Sequence, residues 1–406
     1  MPAPSTISAA GHFVPTGAGI ITGDATLRMS TATQGTLALG GVDWAMTGDP
    51  AAKTLRGSTS GSALSLKIVN RNLLKGTVDG AALELTRAVL RPIPAAERLQ
   101  SDAGPTRDMQ RVMSATPDYA SAVGDNSTFW YAFGPVLYRG RLDGSARVLG
   151  IASDPGPSEC LPFARRALIG DSGQKTQGFL SRLGLTRSYV LVNAFAVALR
   201  PSQKTKGLKV LNTHPQIRSA RHALYNGLLA GGAIEAIVAF GEVAHRAYDL
   251  WAASNPVVGS VPIFKLAHPA AVDRSASGDD AALRAWQSAV ATLRTIVTPD
   301  PDGDATGPHF GAYWTEVDYA RIPRWDLPSM APAYVGDDSW GRAATPRHNN
   351  CCERPSPDDR VSLNMTPPLD QGPFLRYRYQ DGQLIGATDK NGRAVAVDAF
   401  GIPTSP

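Results

Sequence analysis

Cysteine is scarce in this chain of 406 residues, with only Cys160, Cys351 and Cys352. A low, odd count excludes a disulfide framework and fits a reducing, cytoplasmic compartment. The adjacent Cys351 and Cys352 stand near His348 in a proline-rich stretch, where a vicinal pair reads as incidental, so no metal site and no cofactor are expected. No run approaches the ~20 consecutive apolar residues of a membrane-spanning helix, so no membrane partner is expected. The opening Met1-Pro2-Ala3-Pro4-Ser5 lacks a basic segment followed by an apolar one, and a secretory signal is not expected.

Hydrophobic residues make up 43% of the chain, enough for a packed core, and its length suits two or three domains. Gly and Pro are abundant, at 40 and 31, and announce long irregular connections. The formal net charge of +5 is mild, but it is unevenly spread. Residues 146–300 carry 17 Lys and Arg against 10 Asp and Glu. A basic middle domain attracts polyanions; a merely solvated basic surface has the same composition.

Four regions follow. Residues 1–100 are β-rich: segments such as Ser62-Ala63-Leu64-Ser65-Leu66-Lys67 alternate apolar and polar residues, and Gly40-Gly41 and Asp79-Gly80 supply turns. A small antiparallel sheet or sandwich is expected there. Residues 101–145 read as a connection with an aromatic hairpin, Phe129-Trp130-Tyr131 to Tyr138, that packs on the core or stacks on nucleic acid. Residues 146–300 alternate strands (147–153, 189–194, 236–240, 261–267) with helices (172–183, 219–229, 242–251, 279–298). Asp279 and Asp280 favour the dipole of the last helix. This rhythm predicts an α/β fold with a central four-stranded parallel sheet flanked by helices. The strands lack polar alternation, as in a sheet covered on both faces. Residues 301–406 read as an irregular extension, with short hairpins at 375–379 and 383–387.

Ligands of open parallel sheets sit beyond the carboxyl ends of the strands. Reading just past each strand gives Asp154-Pro155-Gly156-Pro157, then Asn193, then Gly241, then His268-Pro269. A carboxylate, an amide and an imidazole thus converge on one rim. Each residue type alone also caps helices and turns. A Rossmann-like nucleotide enzyme is disfavoured because no Gly-x-Gly-x-x-Gly follows the first strand.

These motifs resemble the uracil-DNA glycosylase superfamily. Asp154-Pro155-Gly156-Pro157 after an apolar strand is similar to its first motif, and Lys265-Leu266-Ala267-His268-Pro269 to its second. The spans from Gly173 to Gly184, Ser188 to Asn193 and Ala236 to Ala244 resemble the intervening elements. The resemblance covers about 150 residues and implies a DNA glycosylase of base excision repair, with DNA as partner. Asp154 would stabilise an oxocarbenium-like sugar and position water, and His268 would donate to the departing base. Asn193 would read the edge of a flipped pyrimidine, and Phe163 would stack on it. Pro155, Gly156, Pro157 and Pro269 would grip the strand backbone. Three cysteines cannot supply the four that hold the iron–sulfur cluster of some branches, so a branch without it is expected. Ala270 stands where many members have Ser, and residues 150–157 match no single branch. The alternatives are a defence glycosylase excising hypermodified bases from invading phage DNA, and a non-catalytic DNA-binding protein on the same scaffold.

Overall fold

The computed structural model describes residues 11–17, 25–29, 34–39, 42–49, 52, 54–59, 61–70, 73–87, 101–272, 281–306, 318–332, 335–336, 362–365, 374–380, 383–398 and 401–404. Cys351, Cys352 and His348 lie outside them, as do Asp279 and Asp280.

The N-terminal strands form a closed antiparallel barrel. They are β1 (Gly11–Gly17), β2 (Ala25–Met29), β3 (Gln34–Leu39), β4 (Val42–Asp49), β5 (Thr54–Thr59), β6 (Ser62–Asn70), β7 (Leu73–Val78) and β8 (Ala81–Arg87). Each pairs with the next, and β1 pairs with β8 in the register Pro15 to Leu85, which closes the ring. Period-two patterning sends Leu37, Leu39, Trp44, Met46, Leu55, Leu64, Leu66, Leu83 and Leu85 into one core. The alternation alone is equally compatible with an open sheet or a sandwich; the β1–β8 pairing makes this a barrel.

Two helices follow, α1 (Arg107–Ser114), capped by the Thr106 hydroxyl, and α2 (Tyr119–Val123), capped by the Asp118 carboxylate. The middle region is a mixed sheet flanked by helices. Its strands are β9 (Tyr138–Gly140), β10 (Val148–Ala152), β11 (Tyr189–Asn193), β12 (Ala236–Phe240) and β13 (Ile263–Leu266), in the spatial order β13-β12-β10-β11-β9. Four strands run parallel, as the strand–helix rhythm predicts. The fifth corrects the expectation of four: β9, from the aromatic stretch, adds antiparallel to β11 instead of pairing within its own hairpin.

Alternate residues of the central strands serve opposite faces. Val148, Leu191, Val238 and Phe240 pack against Phe179, Leu180, Trp286 and Val290, from α3 (Asp171–Arg182) and α7 (Ala281–Leu293). Leu149, Ile151, Val190, Val192 and Ile237 pack against Leu224, Tyr225, Leu228 and Trp251. These come from α5 (Pro215–Leu229) and α6 (Glu242–Ala252), and α4 (Lys204–Thr213) precedes them. Burial on both faces explains the continuous apolar strands.

The C-terminal region is more regular than its composition suggests. β14 (Ser362–Met365), β15 (Leu375–Gln380), β16 (Gln383–Thr388) and β17 (Ala394–Val395) form an antiparallel four-stranded sheet. The β15–β16 hairpin falls where it is expected, and the sheet around it corrects the reading of this region as irregular. Leu363, Met365, Leu375 and Tyr377 share a core with Cys160, Leu161 and Phe163 of the middle region. A second tie is polar. The carboxylate of Asp326, fully buried, accepts from the Tyr189 hydroxyl at 2.8 Å and from Arg139 Nη1 at 3.2 Å. No helix among the described residues is long and apolar enough to cross a membrane.

Candidate functional site

The parallel register places the carboxyl ends of β10, β11, β12 and β13 on one rim. Ala152 stands opposite Asn193, Ile151 opposite Ala239, and Phe240 opposite Leu266. The β10–β11 pairing continues past the strands, because Ala194 N donates to Ala152 O and Phe195 N to Ser153 O. Asp154 and Asn193 are therefore neighbours on adjacent strand ends. His268, beyond β13, stands two strands from β10, on the order of 10 Å at the usual strand spacing.

Asp154 is half-buried and its two oxygens are oriented separately. Oδ1 accepts from the Ser153 hydroxyl at 2.7 Å, and Oδ2 from the Leu199 backbone N–H at 2.8 Å. Bonds to both oxygens fix the orientation of the carboxylate. Pro155, Gly156 and Pro157 carry the chain from Asp154 towards Glu159.

Glu159 is the rim residue that sequence reasoning missed. It is buried, and its Oε2 accepts from Gly156 N at 3.2 Å. Burial pushes its carboxyl up to about 8. The backbone N–H groups of Gly156 and Leu168 oppose that shift, the Asp154 charge adds to it, and the Asn193 amide opposes it. The acid form thus prevails at neutral pH, and a neutral carboxyl lies beside Asp154. An acid five residues from Asp154, inside a turn rich in Pro and Gly, gives no sign in the sequence of being buried.

Asn193 is 5% exposed. Its carbonyl accepts from the Tyr225 hydroxyl at 3.3 Å, which fixes the strand end. Its side-chain amide lies close enough to Glu159 to favour the ionised acid, yet neither amide atom makes a hydrogen bond of ordinary geometry. Buried amides are nearly always satisfied, so this one is available to a ligand's polar edge.

His268 is half-buried, and its Nδ1 accepts from Ala270 N at 3.2 Å. That bond places the proton of a neutral imidazole on Nε2, the nitrogen able to donate. Its loop is held from two sides: Trp286 Nε1 donates to Ala267 O at 3.1 Å, and the buried Lys175 Nζ to Pro269 O at 3.4 Å. Gly241, at φ +87°, opens α6 beside it, and a Cβ there would stand 3.1 Å from the His268 Cβ. Only glycine combines this backbone with this close approach.

Phe163 is placed differently from the rest. Its ring is 2% exposed and meets the Tyr377 ring edge-on, with centroids 6.2 Å apart, in the core shared with the C-terminal sheet. Stacking on a base would need that cover to move. Among the described residues, no group of three or more His, Cys, Asp or Glu is arranged to hold a metal ion.

No family model matches the chain, and no curated protein does. The chemistry of the rim is therefore the basis for assigning it. The rim thus gathers an oriented carboxylate, a carboxyl held in its acid form, a buried amide and an imidazole whose Nδ1 accepts from the backbone. Exposed Lys204 on α4 lies near the same rim, since its Nζ donates to Glu242 Oε2 at 2.6 Å at the start of α6, and exposed Lys206, on the same helix, pairs with Asp125 at 3.6 Å.

Proposed function

We propose that the protein is a metal-independent DNA N-glycosylase that hydrolyses the glycosidic bond of deoxyuridine, or of a related modified pyrimidine, flipped out of DNA. The observation that carries this reading is the placement of Asp154, Asn193 and His268 on one rim of a parallel sheet. The bond breaks with the electron pair leaving on the base and a cationic sugar remaining. Asp154 stabilises that cation and orients the attacking water, whose oxygen bonds to the anomeric carbon while its proton passes to Asp154 and from there through solvent to the departed base anion. His268 donates from Nε2 to the base carbonyl where negative charge develops. Asn193 supplies the acceptor and donor that a pyrimidine edge requires. The Lys204 and Lys206 ammonium groups supply positive charge for a phosphate backbone.

The test is incubation of the full chain with single- and double-stranded oligonucleotides containing uracil. Alkali-labile abasic sites are expected at the uracil, and intact strands across a panel of modified pyrimidines would overturn the reading. A second reading, a non-catalytic DNA-binding protein, is favoured by the burial of Phe163 beneath Tyr377. It predicts tight DNA binding without base release, unaffected by Asp154→Asn.

A further inference from the structure

A second site lies on the face of the sheet covered by α5. Arg221 of α5 is 5% exposed. Its Nη2 donates to Leu211 O at 3.3 Å, while Nε and Nη1 are buried with no hydrogen-bond partner. No carboxylate among the described residues is within ion-pair distance of it. The titratable groups that bear on it are Tyr225, Tyr119 and a second cation, Arg218. A guanidinium does not lose its proton to relieve such burial, and an uncompensated buried charge is costly.

This side chain lines a narrow cleft of about 20 Å³ together with Thr116, Tyr119, Asn193, Ala196 and Ile217. The polar lining consists mostly of donors. Tyr119 Oη already accepts from Ala196 N at 3.3 Å, so its own proton points elsewhere. Burial raises this phenol above its ordinary value, which keeps that proton in place. The Asn193 carbonyl is taken up by Tyr225. Arg221, with two unpartnered guanidinium nitrogens, thus lines with Tyr119 and Thr116 a space whose lining holds no carboxylate.

We infer that the Arg221 cleft is a binding site for a small inorganic anion of the chloride or phosphate class. It does not rest on the glycosylase reading: Asn193 borders both the rim and the cleft, but Arg221, Tyr119 and Thr116 have no part in the rim chemistry. It does back the segment that leads to Leu199, whose N–H holds Asp154, so occupancy would stiffen that support.

The experiment is thermal unfolding of the full chain and of Arg221→Met at constant ionic strength. Gluconate, too large for the cleft, is replaced stepwise by chloride, and in a parallel series by phosphate. The wild-type midpoint should stay flat below half-saturation and rise with the logarithm of concentration above it, by about 3 °C per tenfold increase. The variant should lose that response and, in gluconate, be no less stable than the wild type. The series with the lower half-saturation point identifies the preferred ion. Parallel curves for the two proteins would overturn the inference. If Arg221→Met does not fold, chloride-35 NMR of the wild type decides. Line broadening reversed by bromide is expected, and a linewidth equal to that of buffer would mean that the cleft holds only water.

Discussion

Asp154 Oδ2 accepts from the Leu199 backbone N–H at 2.8 Å, which joins the turn after β10 to the segment after β11. One carboxylate therefore braces two loops and presents negative charge to the rim. The two roles are separable by substitution. Asn at 154 keeps an oxygen acceptor for Leu199 but removes the charge. Asp154→Asn should thus unfold within about 1 kcal/mol of the wild type while base release falls about 100-fold or more. Denaturant titration and single-turnover cleavage measure the two effects. Equal release by the variant would remove Asp154 from the chemistry.

Glu159 makes stability depend on pH. Its folded value of about 8 lies above the unfolded value near 4.5, so the folded state holds the proton more tightly. The resulting stabilisation is full below about 4.5, declines as pH rises, and is gone once pH has passed through about 8. Glu159→Gln imitates the acid form at every pH. Its melting temperature should therefore change less than that of the wild type between pH 5 and pH 8, and should match or exceed it at pH 8. A steeper decline in the variant would contradict the assignment.

Gly241→Ala tests the fit between α6 and His268. The positive-φ, extended backbone of Gly241, essentially confined to glycine, costs another residue roughly 1–3 kcal/mol. The new Cβ would also press on the His268 Cβ from 3.1 Å. A loss of activity exceeding that of a remote substitution of equal stability cost is expected, with the deficit in kcat. Undisturbed kcat would show that His268 tolerates displacement.

Asp326→Ala should be among the most damaging changes. It leaves the Arg139 guanidinium, 0% exposed, without its carboxylate. Breaking a buried pair from one side costs about 3–5 kcal/mol. Urea unfolding should show that loss. Replacing Arg139 and Asp326 together by Met and Leu should recover much of it, and a double variant as weak as the single one would argue against the ion pair.

Phe163 separates packing from recognition. Phe163→Leu keeps much of the apolar volume, whereas Phe163→Ala opens a cavity costing roughly 3–5 kcal/mol. If the ring serves the core it shares with Tyr377, Phe163→Leu should retain base release, and Phe163→Ala should lose stability first. Loss of release in a stable Phe163→Leu protein would assign the ring to the base instead.

The parallel core was legible because β10, β11 and β12 are short, continuous apolar runs separated by helical spacing, a pattern written locally. The convergence of Asp154, Asn193 and His268 follows from that frame. β9 was not legible, because the buried Arg139 at its centre depends on distant partners, Gln177 38 positions later and the charge of Asp326 187 positions later. The same distance hides the cover over Phe163, since Tyr377 belongs to a sheet more than 200 residues away. Glu159 escaped notice because its burial depends on the chain around Leu168 folding back. Barrel closure depends on a pairing between the first and last of eight strands. Local periodicity carries no information on any of these long-range relations.

The closed ring of β1 to β8 limits how the N-terminal region can take part in recognition. Every one of these strands has a neighbour on both sides, so none offers a line of unpaired amides to an incoming peptide strand. Anything the barrel grips must be held by side chains or by the turns at its mouths. Strand addition, the commonest way for a β-domain to recruit an extended peptide, is closed to it.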